Sequence, residues 1–258
     1  MQKLMPRRVH IAQTNLALCF PDKSDKEKQL LLDHHFESTG IAVIETVMSW
    51  WSSDHKLKPR VSIEGLEHLQ NALKENRGVI LLSGHFTTLE IGGRLLSFFA
   101  PFHVLYRQHK NPVFEFVMHR ARSKHYDKAI ERGNMRGMMR SLKDKMAVWY
   151  APDQNYGTEN SIFVNFFNIP AATITATSRL AGMKQSPVVP FFQERLPDNS
   201  GYVLRIYPAL KNFPSSDVGN DTQRINHIIE DEILKMPAQY LWTHRRFKSR
   251  PEGQPPLY

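Results

Sequence analysis

Short, continuous apolar runs recur through the middle and carboxyl-terminal parts of the chain. The clearest run, Val79-Ile80-Leu81-Leu82, is typical of a strand that is covered on both faces of a parallel or mixed sheet. Four further runs have similar length and composition. Together they predict strands at Gly78 to Ser83, His103 to Tyr106, Ala147 to Tyr150, Pro187 to Gln193 and Tyr202 to Tyr207.

Between these runs, apolar residues recur at helical spacing. The carboxyl-terminal segment places Ile225, Ile228, Ile229 and Ile233 on one stripe. The spacing predicts helices at Thr88 to Phe99, Pro112 to His125, Met135 to Lys143, Thr173 to Met183 and Thr222 to Lys235, after a helical region over residues 24–53. Strands that alternate with helices are typical of an α/β fold.

The segment between Arg195 and Gly201 has the composition of a hairpin turn, so the two strands that it joins are predicted to be antiparallel. We therefore expect a mixed, mostly parallel central sheet flanked by helices, with a helical amino-terminal region. No shift in composition divides the chain. We expect a single domain over residues 1–258, with the helical region at 1–60 and an α/β core at 61–258.

The charge of the chain narrows the choice of partners. Its 34 Lys and Arg residues against 25 Asp and Glu residues give a net charge of +9, which suits nucleic acid, an anionic membrane or a phosphorylated lipid. Zinc-ligand spacing and nucleic-acid-binding motifs are absent from the sequence, which disfavours nucleic acid. The single cysteine, Cys19, excludes an intrachain disulfide and is typical of a reducing compartment.

Membrane contact is predicted at one segment only. The sequence contains neither a secretory signal nor an apolar run near the roughly 20 residues needed to span a bilayer. The segment from Ile41 to Trp51 is apolar and ends in two tryptophans, which suits a membrane interface. It equally suits an amphipathic helix packed on the domain, with Glu45 as a partly buried polar residue.

The candidate chemistry lies where the first predicted strand meets the following helix. His85 falls in the turn after the strand and Glu90 in the first helical turn, so the carboxylate can fold back and hold the imidazole. A histidine held in this way can act as a general base for a hydroxyl that the substrate supplies. The same residues also fit a capping box, in which Glu90 bonds to the backbone of Thr87.

A second polar element follows the strand at Ala147 to Tyr150. Asp153 and Gln154 lie just beyond its carboxyl end, where α/β proteins build binding clefts, although Pro-Asp-Gln is also an ordinary turn. Arg107 follows the preceding strand at the same predicted edge. We expect Arg107 to bind a phosphate or the acceptor; a structural pairing with Asp153 is the alternative.

Several blocks of the sequence resemble the bacterial lipid A secondary acyltransferases, the lauroyl and myristoyl acyltransferases. His85-Phe86-Thr87-Thr88-Leu89-Glu90 is similar to the H-x4-D/E motif that this family shares with glycerolipid acyltransferases. The other similar blocks run in the expected order at Ile11 to Leu16 with Cys19-Phe20-Pro21, Tyr106 to Pro112, Arg136 to Arg140, Ala151 to Gln154 and Tyr240 to Lys248.

The resemblance implies a glycerolipid-acyltransferase-like fold and a specific reaction. A fatty acyl chain would pass from an acyl carrier protein thioester to a hydroxyl of a Kdo-bearing, phosphorylated lipid A precursor. His85 would be the general base assisted by Glu90, and Arg107, Arg136, Asp153 and Gln154 would bind substrate. The resemblance implies no metal or other cofactor.

The resemblance also implies a location at the cytoplasmic face of the bacterial inner membrane. The protein would be peripheral there, on an anionic membrane surface, or anchored by a segment outside this chain. Two alternatives remain open: an acyltransferase for glycerophosphate or lysophospholipid, and a non-catalytic protein that binds anionic lipid.

Overall fold

The amino-terminal part of the molecule is helical, as predicted. The computed structural model describes residues 2–106, 108–109, 111–131 and 133–258. Its first helices are α1 (Pro6–Cys19), α2 (Asp25–Trp51) and α3 (Asp54–Leu57). A capping box starts α2: the Ser24 backbone N–H donates to Glu27 Oε2 at 2.8 Å, and the Glu27 N–H donates to Ser24 Oγ. The patterns above did not predict α1.

A mixed, mostly parallel sheet forms the centre of the molecule, which confirms the predicted fold class. Its strands are β1 (Val61–Glu64), β2 (Val79–Leu82), β3 (Phe102–Tyr106), β4 (Lys128–Glu131), β5 (Ala147–Tyr150), β8 (Val188–Arg195) and β9 (Tyr202–Ile206). Among the described residues their order in the sheet is β1-β9-β8-β2-β5-β3-β4. The antiparallel pair, β8 with β9, is the predicted hairpin, and the other neighbours run parallel.

One of the remaining helices, α4 (Leu66–Lys74), was not predicted. The others lie at predicted positions, although α9 begins four residues before the predicted Thr222: α5 (Leu89–Leu96), α6 (Pro112–His125), α7 (Met135–Lys143), α8 (Ala176–Lys184) and α9 (Val218–Lys235). The helix predicted from Thr173 is wrong in its first turn, because β7 (Ile169–Ile174) pairs there with β6 (Ser161–Phe166) in a separate antiparallel sheet. The β-branched residues 173–175 favour a strand, and pairing with β6 decides the outcome.

Both faces of the central sheet are buried. Ile80 and Leu82 of β2 belong to one hydrophobic core, and Val79 and Leu81 belong to the core on the opposite face. This confirms that the strand is covered on both sides. Helix α5 lies close to the sheet because of Gly92 and Gly93: a Cβ atom on either would come within 2.7 Å or less of a side-chain atom of Gln193 or Trp149.

The parallel pairing of β2 with β5 brings two chain segments to one edge of the sheet. Leu82 pairs with Tyr150, so the turns that follow the two strands are adjacent. His85 lies in the first turn and Asp153 in the second. No helix among the described residues is both long and apolar enough to cross a bilayer.

Candidate active site

The turn that carries His85 is fixed to the carboxyl-terminal part of the chain. The backbone N–H of Leu241 donates to the His85 carbonyl at 3.0 Å, and that of Thr87 donates to the Gln239 carbonyl at 2.7 Å. Phe86 and Tyr240 also form an isolated β-bridge. Since α5 begins only at Leu89, His85 lies in the turn, as predicted.

A buried network supports the same turn from the other side. Glu45 of α2 pairs through both carboxylate oxygens with the Arg195 guanidinium at 2.6 Å. Arg195 also donates to Ser38 Oγ at 2.9 Å, and Ser38 Oγ lies 2.7 Å from Thr87 Oγ1. The inner face of α2 therefore packs on the core with a fully buried Glu45, and the backbone around His85 is held rigidly.

Asp153 is the carboxylate that holds His85. His85 Nδ1 lies 2.6 Å from Asp153 Oδ1, and the His85 backbone N–H donates to Oδ2 at 2.9 Å. Tyr240 completes the set, because its hydroxyl donates to Oδ2 at 3.0 Å. The Asp153 side chain is 1% exposed, whereas that of His85 is 25% exposed. A buried carboxylate with three donors thus orients an imidazole that remains accessible.

The electrostatics of this pair favour a basic Nε2 atom. Burial alone would raise the pKa of Asp153, but the charge of His85 and the hydrogen bonds from His85 and Tyr240 lower it to about 2. Asp153 is therefore ionised at neutral pH. An ionised partner at Nδ1 favours the tautomer with its proton on Nδ1, so Nε2 is free to accept a proton.

Glu90 occupies a different place from the one predicted. Its carboxylate accepts hydrogen bonds from Arg122 Nε at 3.0 Å, from the Arg122 terminal nitrogen at 2.6 Å and from Trp50 Nε1 at 2.8 Å. The expectation that Glu90 orients the His85 imidazole is wrong in this geometry, since Asp153 takes that position. The permanent charge of Arg122 and the Trp50 N–H draw the Glu90 carboxylate to α6 and α2 instead.

The capping-box interpretation of Glu90 is also wrong. The residue that caps α5 is Thr88, which makes no side-chain capping bond, and the Thr87 hydroxyl contacts Ser38 instead. Glu90 is the second residue of the helix rather than the third. Its carboxylate therefore serves the pair with Arg122 and not the helix terminus.

His85 borders two cavities. The larger has a volume of about 390 Å³ and the smaller about 180 Å³. Both are lined by His85 and by a shared apolar wall of Leu89, Val104, Leu105, Tyr106 and Trp149. The larger cavity continues to Met135 and Ile174, and Gln154 contributes a polar group. The smaller cavity reaches Glu90 and Arg122.

The predicted substrate-binding residues fall into three groups. Asp153 and Gln154 come together with His85, as their position after β5 predicts. Arg136 is exposed in the first turn of α7, next to Met135 of the cavity wall. Arg107 lies outside the described residues. In the described ranges, no group of three or more His, Cys, Asp and Glu side chains has the arrangement of a metal site.

The sequence patterns missed Trp50, Arg122 and Tyr240 as site residues. Trp50 stood out only as part of the membrane candidate, and Arg122 only as one residue of a predicted helix. Tyr240 begins one of the blocks that carry the family resemblance, which was the available signal. In each case the role depends on a partner 32 or more residues away, so spacing alone does not reveal it.

The fold and this site define a class of protein: an α/β enzyme with an aspartate-held histidine that can serve as a general base beside an apolar cavity. The family model "Bacterial lipid A biosynthesis acyltransferase" matches residues 1–249, and the chain belongs to that family. The predicted family resemblance is therefore confirmed. Acyl transfer in lipid A biosynthesis is the activity of this family.

The chain is similar to lipid A acyltransferases of known name and, more distantly, to one solved structure. The chain is 40% identical to the lipid A biosynthesis palmitoleoyltransferase of Escherichia coli K12 over 98% of this chain and 83% of the relative. It is 37% identical to the lauroyltransferase of the same organism over 99% and 84%, respectively. The crystal structure of the 1-acyl-sn-glycerophosphate acyltransferase PlsC from Thermotoga maritima aligns with a TM-score of 0.42 at 14% identity, covering 93% of this chain and 100% of that chain.

Proposed function

We propose that this chain transfers a fatty acyl group from an acyl carrier protein thioester to a hydroxyl of a Kdo-bearing lipid A precursor. The observation that carries the proposal is the His85–Asp153 pair at the junction of two cavities, one of them predominantly apolar. The family assignment and the names of the relatives support the lipid A precursor as acceptor.

His85 acts as the general base. Its Nε2 atom takes the proton of the acceptor hydroxyl as the hydroxyl oxygen attacks the thioester carbonyl. The tetrahedral intermediate then collapses, the carbon–sulfur bond breaks, and the imidazolium returns the proton to the departing thiolate. Asp153 stabilises the imidazolium and keeps the ring oriented through both steps, so its role is positioning rather than substrate binding.

The two cavities suit the two ends of the reacting groups. The larger cavity, lined by Leu89, Val104, Trp149 and Ile174, suits an acyl chain because burial of methylene groups is favourable there. Arg122 lines the same smaller cavity as His85 and supplies a cation there that can stabilise the oxyanion or hold a phosphate. Glu90 orients the Arg122 guanidinium through two hydrogen bonds and thereby acts as a positioning residue.

Other polar residues extend this arrangement toward the acceptor. Gln154 can donate from the wall of the larger cavity. Arg107 and Arg136 remain proposed contacts for the acceptor phosphates on the basis of their sequence positions. No step of this mechanism uses a metal or another cofactor.

The donor is proposed from charge. The chain has a net charge of +9, and an acidic acyl carrier protein would approach such a surface faster than a neutral one. The donor KM should therefore rise as salt is added. A donor KM that stays constant from low to high salt would contradict electrostatic docking of the carrier protein.

The function is tested by transfer of a labelled acyl group to the lipid A precursor. The purified chain, His85→Ala and the surface control His34→Ala are compared at matched circular dichroism, with acyl carrier protein or acyl-coenzyme A as donor. We expect activity with the carrier-protein donor in the native chain and in the control, and a loss of about 10³-fold or more in His85→Ala. Full activity of His85→Ala would overturn the proposed base.

A parallel reaction uses lysophosphatidate as acceptor. Transfer to lysophosphatidate and none to the lipid A precursor would favour the glycerolipid reaction instead. Binding of anionic lipid without transfer to either acceptor would favour the non-catalytic alternative.

A further inference from the structure

Two neighbouring helices expose large apolar side chains on one side of the molecule. The relevant parts are the second half of α2 and the first half of α6. Each of these side chains is between 43% and 71% exposed. We call them the α2–α6 apolar surface: Val43, Ile44, Val47, Trp51, Val113, Phe114 and Phe116.

The two helices form one continuous surface. Trp50 stacks edge-on against both Trp51 of its own helix and Phe114 of α6, with ring centroids 5.5 and 5.6 Å apart. On α2 the positions of Val43, Val47 and Trp51 repeat at four-residue spacing, which gives a single stripe along the helix. Clusters of exposed apolar residues that form a continuous patch are typical of interaction sites rather than ordinary protein surface.

The distribution of charge around the surface favours a bilayer over a protein partner. Between residues 40 and 53, Glu45 is the single ionisable side chain, and it is buried against Arg195. On α6, the first half carries one acidic side chain, the half-buried Glu115, among its exposed apolar residues, and the exposed cations Arg120 and Lys124 follow it. An apolar stripe bordered by cations and by a tryptophan matches the apolar interior and the anionic headgroups of a membrane interface.

The surface adjoins the candidate active site through the same helix. Phe116 of α6 points outward, whereas Met118 and Arg122 of α6 line the smaller cavity beside His85. On α2, Trp51 is exposed, whereas its neighbour Trp50 donates to Glu90 in that cavity. A bilayer that contacts the outer side of these helices would therefore be separated from the smaller cavity only by the two helices whose other residues line or support it.

We propose that the α2–α6 apolar surface docks on a bilayer with anionic headgroups and presents the His85 cavities to lipid in that bilayer. Docking itself follows from exposure and charge, while delivery of the acceptor to His85 rests on the proposed function. The surface would hold the protein at the interface without spanning the membrane, since partial insertion of a few large side chains suffices for reversible binding.

The proposal is tested by flotation of the full chain with vesicles of phosphatidylethanolamine and phosphatidylglycerol. We compare the native chain with Ile44→Glu/Trp51→Glu and with Phe116→Glu, which place charge on the surface. The matched control is Met183→Glu/Leu234→Glu, since both residues are exposed on other helices. We expect partitioning to fall about tenfold or more in the surface variants and to stay unchanged in the control, because buried apolar area is lost.

A second measurement uses the native sequence and does not depend on variants that could misfold. Trp51 is 63% exposed, whereas Trp50, Trp149 and Trp242 are buried, so lipid-dependent fluorescence changes report mainly Trp51. Brominated lipid should quench this emission, and Trp51→Phe should remove most of the quenching. Binding that is equal in all variants, or no quenching, would overturn the proposal.

Two further outcomes separate the proposals from each other. A dimer in solution that Ile44→Glu/Trp51→Glu dissociates would assign the surface to a second copy of the chain and overturn membrane docking. Normal vesicle binding by a protein that transfers no acyl group to lipid A precursor would support the docking surface and count against the proposed function. Flotation and acyl transfer are measured independently, so either proposal can fail alone.

Discussion

Two carboxylates near His85, Asp153 and Glu90, each pair with a nitrogen-bearing side chain, and the two pairs differ in chemistry. Asp153 pairs with an imidazole and Glu90 with a guanidinium, and both pairs adjoin the same apolar wall. An imidazole nitrogen can accept a proton and release it again during a reaction, whereas a guanidinium keeps its charge. The first pair is therefore suited to move a proton, and the second is suited to supply a fixed positive charge.

The largest expected effect on kcat comes from changing the His85–Asp153 pair. Asp153→Asn removes the charge that stabilises the imidazolium and favours the wrong tautomer of His85, so kcat should fall by about 10³-fold or more. The measurement is kcat under saturating donor and acceptor, with circular dichroism to verify folding. Asp198→Asn, at an exposed turn, is the control. Near-native kcat in folded Asp153→Asn would place the base elsewhere.

Changes to the Glu90–Arg122 pair should affect kcat/KM to a smaller extent. Arg122→Met removes the fixed charge from the smaller cavity, and we expect kcat/KM to fall about 10²-fold, with partial rescue by Arg122→Lys. Glu90→Gln should have a smaller effect because Arg122 remains. The exposed Glu67→Gln is its control.

The pH profile of kcat/KM separates the two roles proposed for Glu90. If Glu90 acts only through Arg122, Glu90→Gln keeps the pH at which the profile turns, whereas Asp153→Asn changes it. A shifted profile in Glu90→Gln alone would restore the predicted contact between Glu90 and the imidazole.

The difference between the pairs also explains what the sequence could predict. The positions of β2, α5 and β5 follow from local apolar patterns, so the turn with His85 and the edge with Asp153 were predicted correctly. The carboxylate that reaches the imidazole was not, because Asp153 is 68 residues from His85 and meets it through strand pairing. Glu90 was the nearer carboxylate in sequence, but Arg122 and Trp50, which bind it, come from separate helices.

Two other features of the fold were not predicted, for related reasons. The buried stripe of helix α1 has helical spacing, but it includes the polar Asn15 and the small residues Ala12 and Cys19, so its apolar signal in the sequence is weak. In the β6–β7 hairpin the alternation of apolar and polar residues is incomplete, so local periodicity does not distinguish the end of β7 from the start of a helix. Residues 41–51 of α2 were predicted either to contact a membrane or to pack on the domain, and the two faces of the helix make these roles compatible. Glu45 packs inside, while Val43 and Trp51 are exposed.

A smaller effect is expected for Tyr240, which donates a hydrogen bond to Asp153 of the His85–Asp153 pair. Tyr240→Phe removes one of the hydrogen bonds to Asp153 and leaves the ring packing between Phe86 and Trp242 in place. We expect kcat to fall about tenfold, since a bond to a charged group is lost from the orienting set. Tyr207→Phe, whose hydroxyl contacts Lys235 instead, should keep native kcat. Equal effects of the two changes would mean that Tyr240 acts through general packing.

The smallest effect concerns stability at acidic pH and again separates the two pairs. His244 Nε2 accepts a hydrogen bond from the Asn155 backbone N–H near Asp153, and burial lowers the pKa of His244 to about 4. In the unfolded chain the pKa of His244 is about 6.5, which is higher than its pKa in the folded chain. Stability is therefore full above pH 6.5 and falls as the pH drops from 6.5 toward 4.

Burial lowers the pKa of His35 to about 4 as well, so this residue adds a loss of the same sign. Thermal unfolding of the native chain between pH 6.5 and 4 should show this decline in stability. Over the same range His244→Gln should lose less stability than the native chain, by on the order of 1–3 kcal/mol. Its amide oxygen can still accept from Asn155, so the variant should fold at pH 7. The Glu90–Arg122 pair has no histidine, and Arg122→Lys should leave the pH dependence of stability unchanged. An unaltered acid response in His244→Gln would mean that protonation of other groups, such as His35, accounts for the loss of stability, and the turn around Asp153 would then contribute as little to the pH dependence as the guanidinium pair.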